Sequence, residues 1–140
     1  MRILVDTCVI SEVQRKGGNA RVRMRFEAIA EEDLFLSVLT IGELRKGIDK
    51  LKASEKKREL ASWFERLIVL AKDRILSIDH ETAVVWGEIA AAADKQGSPL
   101  PAVDGLLAAT AIRHGMRLMT RNVADFERTG VLLINPWQDA

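Results

Sequence analysis

One cysteine, almost no net charge and no long apolar run: these scarcities set the first bounds. Cys8 is the sole cysteine in 140 residues, so no intrachain disulfide can form and no cysteine cluster can hold zinc. A lone thiol of this kind suits a small, buried, apolar role, and a reducing cytosol fits it. Lys and Arg number 21 against 20 Asp and Glu, which leaves a formal charge of +1. That balance removes the simple argument that a strongly basic protein coats nucleic acid. Any nucleic-acid site must be a local patch, or must use metal to meet phosphate. No stretch approaches the ~20 apolar residues of a membrane span. The opening residues 1–6 carry only a few apolar side chains before an acid, unlike a signal peptide. A soluble cytoplasmic protein with no membrane association is expected. The chain also lacks internal repeats, low-complexity tracts and interdomain linkers.

What is present is an ordinary globular mixture, 48% hydrophobic and 29% charged, rather than a disordered one. The length fits one domain over residues 1–140, able to bury roughly 68–70% of its unfolded surface without disulfides. Ile3-Leu4-Val5 reads as a strand buried on both faces. Helical sequence follows, broken near Gly17-Gly18-Asn19, with a second helix from Ala20 to about Ala30. Residues 34–38 form the next strand, and Thr40 opens a helix whose apolar stripe is Leu44, Ile48 and Leu51. The charged run 52–59 reads as a solvated face leading into a helix through Trp63, Leu67 and Leu70. A third strand spans 75–78, then an alanine-rich helix runs from Glu81 to Gln96, with Gly97 as its stop. Pro101 suits the first turn of a helix reaching about His114, with Gly115 beyond it. Strands at 117–120 and 131–134 complete a βα alternation, which predicts an α/β protein with a mainly parallel five-stranded sheet.

Open parallel sheets bind ligands at the carboxyl ends of their strands, so the acids there matter. Asp6 closes the first strand. Glu43 falls in the first turn of the helix after the second, Asp104 in the first turn of the helix opened by Pro101, and Asp125 in the loop after the fourth. Asp104 shares a helix face with Leu107, Ala108 and Ala111, and a carboxylate on an apolar stripe is costly unless something pairs with it. Each acid has a plain alternative. Asp104 suits the helix dipole, and Glu43 completes a capping box with Thr40. Asp6 suits an Asx turn, and Asp125 a cap on the short turn through Phe126. Carboxylates gathered together repel one another, and a hard divalent cation such as Mg²⁺ removes that penalty. A metal so held can activate water and stabilise a leaving oxygen, both of which phosphodiester hydrolysis requires.

At residues 5–12, 37–48, 101–111 and 118–126, and again at Gly130-Val131 and 134–137, the sequence resembles PIN-domain ribonucleases, specifically the VapC and FitB-like toxins of toxin–antitoxin pairs. The resemblance implies a PIN-like α/β/α sandwich. It also implies a four-carboxylate site, Asp6, Glu43, Asp104 and Asp125, holding Mg²⁺ (with Mn²⁺ able to substitute) and hydrolysing RNA. Many PIN domains place an acid two residues after the Thr120 equivalent, where this chain has Asn122. FitB-like members share the Arg-Asn pair and carry the acid at the Asp125 position, which leaves Asn122 as a neutral pocket ligand or water holder. Cys8 stands where such proteins often have Asn, a better hydrogen-bond partner for orienting Asp6. Thr7, Ser11 and Thr120 are candidate supporting hydroxyls, with local turn and cap bonds as the equal alternative. Arg45, Lys46 and Arg121 are candidates for phosphates flanking the scissile one, a solvated face being the alternative for Lys46. His114, at a helix end, suits a capping or dipole role.

The implied partners are an RNA substrate and a VapB- or FitA-like antitoxin. A homodimer, and a heterotetramer or larger with the antitoxin, is expected, with promoter DNA contacted only through the antitoxin. Trp63, Phe64 and Trp86 suit core packing, with an interface as the other use. A receiver domain would want an acid pair at the first strand, and a haloacid-dehalogenase phosphatase a second Asp at position 8. Neither fits. A PIN domain that binds nucleic acid or protein without cutting is the reading from another class.

Overall fold

A computed structural model describes residues 1–138. Its centre is a five-stranded sheet, all parallel, in the order β3-β2-β1-β4-β5. The strands are β1 (Ile3–Val5), β2 (Leu34–Ser37), β3 (Ile75–Leu76), β4 (Arg117–Met119) and β5 (Leu133–Ile134). Leu4 pairs with Phe35 on one side and with Leu118 on the other. β1 is therefore the middle strand. The chain leaves it first toward β2 and β3, and later returns on the opposite side through β4 and β5. The crevice at the carboxyl end of β1 is a topological switch point, where open α/β sheets take their ligands.

Alternation along the strands explains why both sheet faces are covered. Ile3, Val5, Leu36 and Met119 face one core, shared with Val9 and Ile10 of α1 (Thr7–Gln14) and Val22 of α2 (Ala20–Glu27). Leu44 and Ile48 of α3 (Val38–Asp49) and Phe64 of α4 (Glu55–Ala71) complete it. Leu4 and Leu118 face the other core, with Leu107, Ala108 and Ala111 of α6 (Ala102–Arg113) and Phe126 of α7 (Val123–Phe126). The long helix α5 (His80–Lys95) packs on α6. The result is the expected α/β/α sandwich. No helix among the described residues is long and apolar enough to cross a membrane.

Most element limits lie within a residue or three of expectation. α2 ends at Glu27 rather than Ala30, and Pro101 is the N-cap of α6 rather than its first helical residue. β3 and β5 are shorter than read, two residues each. One difference changes the chemistry. α3 begins at Val38, not Thr40, because Ser37 at the end of β2 accepts the Leu39 N–H on its hydroxyl at 3.0 Å and so caps the helix itself. Thr40 is turned inward and buried. The Thr40–Glu43 capping box does not form, and Glu43 sits in the second turn with its side chain free for other work.

Gly105 marks a close approach. A Cβ there would lie 2.9 Å from Trp86 Cδ1, so the Trp86 indole packs directly on the α6 backbone beside Asp104. Trp86 and Phe64 are thus spent on packing, and Trp63 lies half-buried against the first core.

Candidate active site

Asp6 is placed by three bonds. Its backbone N–H reaches Met119 O at 2.9 Å, which carries the β1–β4 pairing one residue past the strand. Its carboxylate then caps α1, with Oδ1 accepting the Thr7 N–H at 2.7 Å. The other oxygen, Oδ2, accepts the Thr120 hydroxyl at 2.8 Å. Thr120 is fully buried and receives the Asn122 N–H at 3.1 Å, so one hydroxyl joins the ends of β1 and β4. The Asx-type cap and a place in the cleft lining coexist in Asp6. The turn fixes one oxygen and orients the carboxylate.

Asp6 and Glu43 share a cleft of about 170 Å³ with Asp104, Asn122, Thr7, Cys8 and the apolar wall of Leu39, Val103 and Leu107. Among the described residues no lysine or arginine lines it. Burial raises the Asp6 carboxyl above the usual aspartate range, opposed by the Thr120 and Thr7 bonds and reinforced by the Glu43 charge. Asp104 is also raised, first by desolvation and then by the charges of Asp125, Asp6 and Glu43, in that order. All four predicted acids therefore meet in one electrostatic field, centred on Asp104. They do not all line one cleft. Asp125 sits in α7 and faces a neighbouring groove of about 600 Å³, with Arg121, Asn122, Glu127 and Asn135. Asn122 is the residue common to both spaces.

Cys8 fills the apolar role expected of it in part, half-buried against the first core. It also lines the cleft, with Sγ 3.7 Å from Asp6 Oδ2 and 3.8 Å from Thr120 Oγ1. Burial, then the Asp6 charge, pushes its thiol up, so it stays protonated and can donate weakly to the carboxylate.

The basic candidates separate. Arg45 pairs with Asp49 at 3.1 Å and lies over the Phe64 ring at 5.8 Å. Those partners hold it on the outer side of α3, and it does not line the cleft. Ser11 in α1 does not reach the cleft lining either. Lys46 is an exposed residue of α3. Arg121 stacks at 5.0 Å on Trp137 and lines the groove, a cation beside the acids. His114 caps α6 with its backbone, its N–H reaching Thr110 O at 3.1 Å. Two contributors were missed from sequence. Thr40 was assigned to the helix cap, yet its hydroxyl lies 3.1 Å from that of Thr7. Trp137, read only as part of the matching stretch 134–137, is the platform under Arg121.

A divalent cation fits the donor set. The cleft offers hard oxygen donors and carries uncompensated negative charge. Among the described residues no group of three His, Cys, Asp or Glu side chains closes on one point. A cation held there would take one or two of the carboxylates and complete its shell with water or substrate phosphate, as hard divalent ions do.

Comparison with known proteins agrees with this geometry. The PIN domain profile matches residues 3–132. The chain is 38% identical over 138 residues to toxin FitB of Neisseria gonorrhoeae, covering 98% of this chain and 99% of the relative. It is 32% identical over 139 residues to the VapC ribonuclease Y4jK of Sinorhizobium fredii, covering 99% of each. The crystal structure of FitAcB from N. gonorrhoeae superposes with a TM-score of 0.92 at 36% identity, over 97% of this chain and 99% of that one.

Proposed function

The chain belongs to the PIN domain family, and from that premise we propose that it is a divalent-metal-dependent endoribonuclease, the toxin of a toxin–antitoxin pair. One observation carries the reading. Asp6, Glu43 and Asp104 line one cleft with Asn122, a cleft that no lysine or arginine among the described residues lines, and the charges of Asp6, Glu43 and Asp125 all act on Asp104. Carboxylates gathered without a partner repel phosphate as well as one another, so a pocket of this kind is of use to RNA only with a cation in it.

Asp6 and Asp104 would hold Mg²⁺ or Mn²⁺, with Glu43 and Asp125 completing the negative field and Asn122 offering a neutral oxygen. When bound, the ion lowers the pKa of a coordinated water and neutralises charge on the phosphate. The chain's own residues do the rest. Thr120 and the Thr7 N–H aim the Asp6 carboxylate. Leu39, Val103 and Leu107 form an apolar wall that limits water. Arg121, braced on Trp137, offers a guanidinium to a phosphate beside the one being cut, a contact that positions the strand without reading its sequence.

The relatives support the rest of the assignment. FitB is named a toxin, Y4jK a ribonuclease, and a FitAB complex of similar fold is bound to a DNA fragment (TM-score 0.93, 37% identity). We assign this chain a FitA- or VapB-like antitoxin, a homodimeric state that assembles with it, promoter DNA reached through that antitoxin, and a cytoplasmic location. The test is cleavage of single-stranded RNA with Mg²⁺ or Mn²⁺, against EDTA and against Asp6→Asn. Metal-dependent cutting lost in the variant is expected. No cut in any RNA, with Asp6→Asn behaving as wild type, would leave a binding module in its place.

A further inference from the structure

Thr7 touches two of the proposed ligands at once. Its backbone N–H donates to Asp6 Oδ1 at 2.7 Å, and its hydroxyl donates to Glu43 Oε1 at 2.6 Å. A threonine hydroxyl has one proton and two lone pairs. With that proton shared toward the carboxylate at 2.6 Å, the 3.1 Å contact with Thr40 Oγ1 is the weaker of the two hydroxyl contacts. Thr40 is fully buried, so it bounds the space in which the Thr7 hydroxyl can turn. The three side chains thus form a contiguous row, with the Thr7 hydroxyl between Thr40 and Glu43.

We propose that Thr7 is the positioning residue that sets the spacing of the Asp6 and Glu43 carboxylates, with Thr40 orienting its hydroxyl. Asp6 lies at the β1–α1 junction and Glu43 on α3, so the two acids ride on separate elements. Their like charges push them apart, and Glu43 has a long, rotamer-rich side chain. Freezing such a side chain has an entropic cost. The Thr7 hydroxyl imposes that order before any ligand arrives, and it holds Oε1 so that Oε2 is left for the cleft. A single residue, through its main chain and its side chain, fixes both carboxylates relative to each other.

The inference rests on the metal-site reading above, and the experiment separates the two. Mn²⁺ binding to the purified full chain is titrated by electron paramagnetic resonance of the free ion, in wild type, Thr7→Val, Thr7→Ser, Thr40→Val and Asp104→Asn. Valine keeps the shape and the N–H to Asp6 and removes only the hydroxyl. Loss of a supporting partner to a metal ligand typically weakens affinity 10–100-fold, and Thr7→Val is expected at about the lower end of that range. Thr7→Ser restores wild-type binding. Thr40→Val gives a smaller loss, since Thr7 keeps its proton for Glu43. A merely structural role would lower the melting temperature and leave Mn²⁺ affinity where it was. Where Thr7→Val does not fold, Thr7→Ala against Thr7→Ser, which differ by one hydroxyl, makes the same comparison. Asp104→Asn abolishing Mn²⁺ binding while Thr7→Val binds as wild type overturns the positioning role alone. Asp104→Asn binding as wild type overturns the metal site itself.

Discussion

Replacing Thr120 with valine probes the joint between β1 and β4. The substitution conserves shape and removes one oxygen, which donates to buried Asp6 Oδ2 at 2.8 Å and accepts from Asn122 N at 3.1 Å. A hydrogen bond to a charged group contributes about 1.5–3 kcal/mol. Asn122 is exposed, so its freed N–H turns to water at little cost. Asp6 has no such recourse, being only 8% exposed, and it loses the strongest of the bonds that hold its carboxyl down against burial. A net loss of about 2–3 kcal/mol follows. With an unfolding entropy of ~2.1 cal/mol/K per residue, a chain of this size should melt about 7–10 °C lower. The assay is thermal unfolding by far-ultraviolet circular dichroism at pH 7.5 in EDTA, with Thr120→Ser recovering most of the loss. The gap should narrow in acid. A bond to the charged form contributes above the folded pKa of Asp6 and is lost as pH falls through it. A Thr120→Val melt within about 2 °C of wild type would refute the reasoning, because it would mean that the buried carboxylate does not depend on this donor.

Further outcomes follow from the same charges and contacts. Asp104→Asn should melt at or above wild type without metal, having shed a repelled carboxylate. It should also lose the rise in melting temperature that millimolar MgCl₂ gives the wild type, as read by differential scanning fluorimetry. The pH course has a definite sign. Asp104 and Asp6 are raised above the ordinary value of 3.8, so their contribution is complete below that value and is lost as pH rises through the folded pKa values. The advantage of Asp104→Asn in EDTA should therefore grow between acid and neutral pH, and a gap that shrinks over that range would contradict it. Gly105→Ala drives a methyl against Trp86. Overpacking of this kind costs about 1–3 kcal/mol, and it should tilt α6 enough to lower Mg²⁺-dependent cleavage along with the melting temperature.

The sheet was readable because its central strand is three apolar residues in a row, and burial on both sides leaves no polar alternation to confuse the pattern. Asp104 was readable for a related reason: a carboxylate on the stripe of Leu107, Ala108 and Ala111 conflicts with its surroundings, and conflicts of that kind concentrate at functional sites. Glu43 was harder. Thr40-Ile41-Gly42-Glu43 matches a capping box, but Ser37 stands three residues earlier and takes the cap first. Local sequence offers both hydroxyls, and only the place where β2 stops pairing decides between them. Asn122 and Asp125 were separated by the direction of one short helical turn, which puts the amide in the cleft and the acid in the groove. That direction is set by packing of Phe126 beneath it and not by the turn residues. The Arg45–Asp49 ion pair follows from the i+4 spacing along a helix.

The placement of β1 at the middle of the sheet has a consequence for how the protein is made. Asp6 and Glu43 leave the ribosome early, but the Met119 carbonyl and Thr120 hydroxyl that aim Asp6 belong to the last quarter of the chain, and Asp104 only a little earlier. Before β4 pairs with β1, Asp6 and Glu43 have the Thr7 link between them but no bond from Thr120. The donors that aim Asp6 thus come from both ends of the sheet's chain order, and the cleft is whole only once β4 has paired with β1.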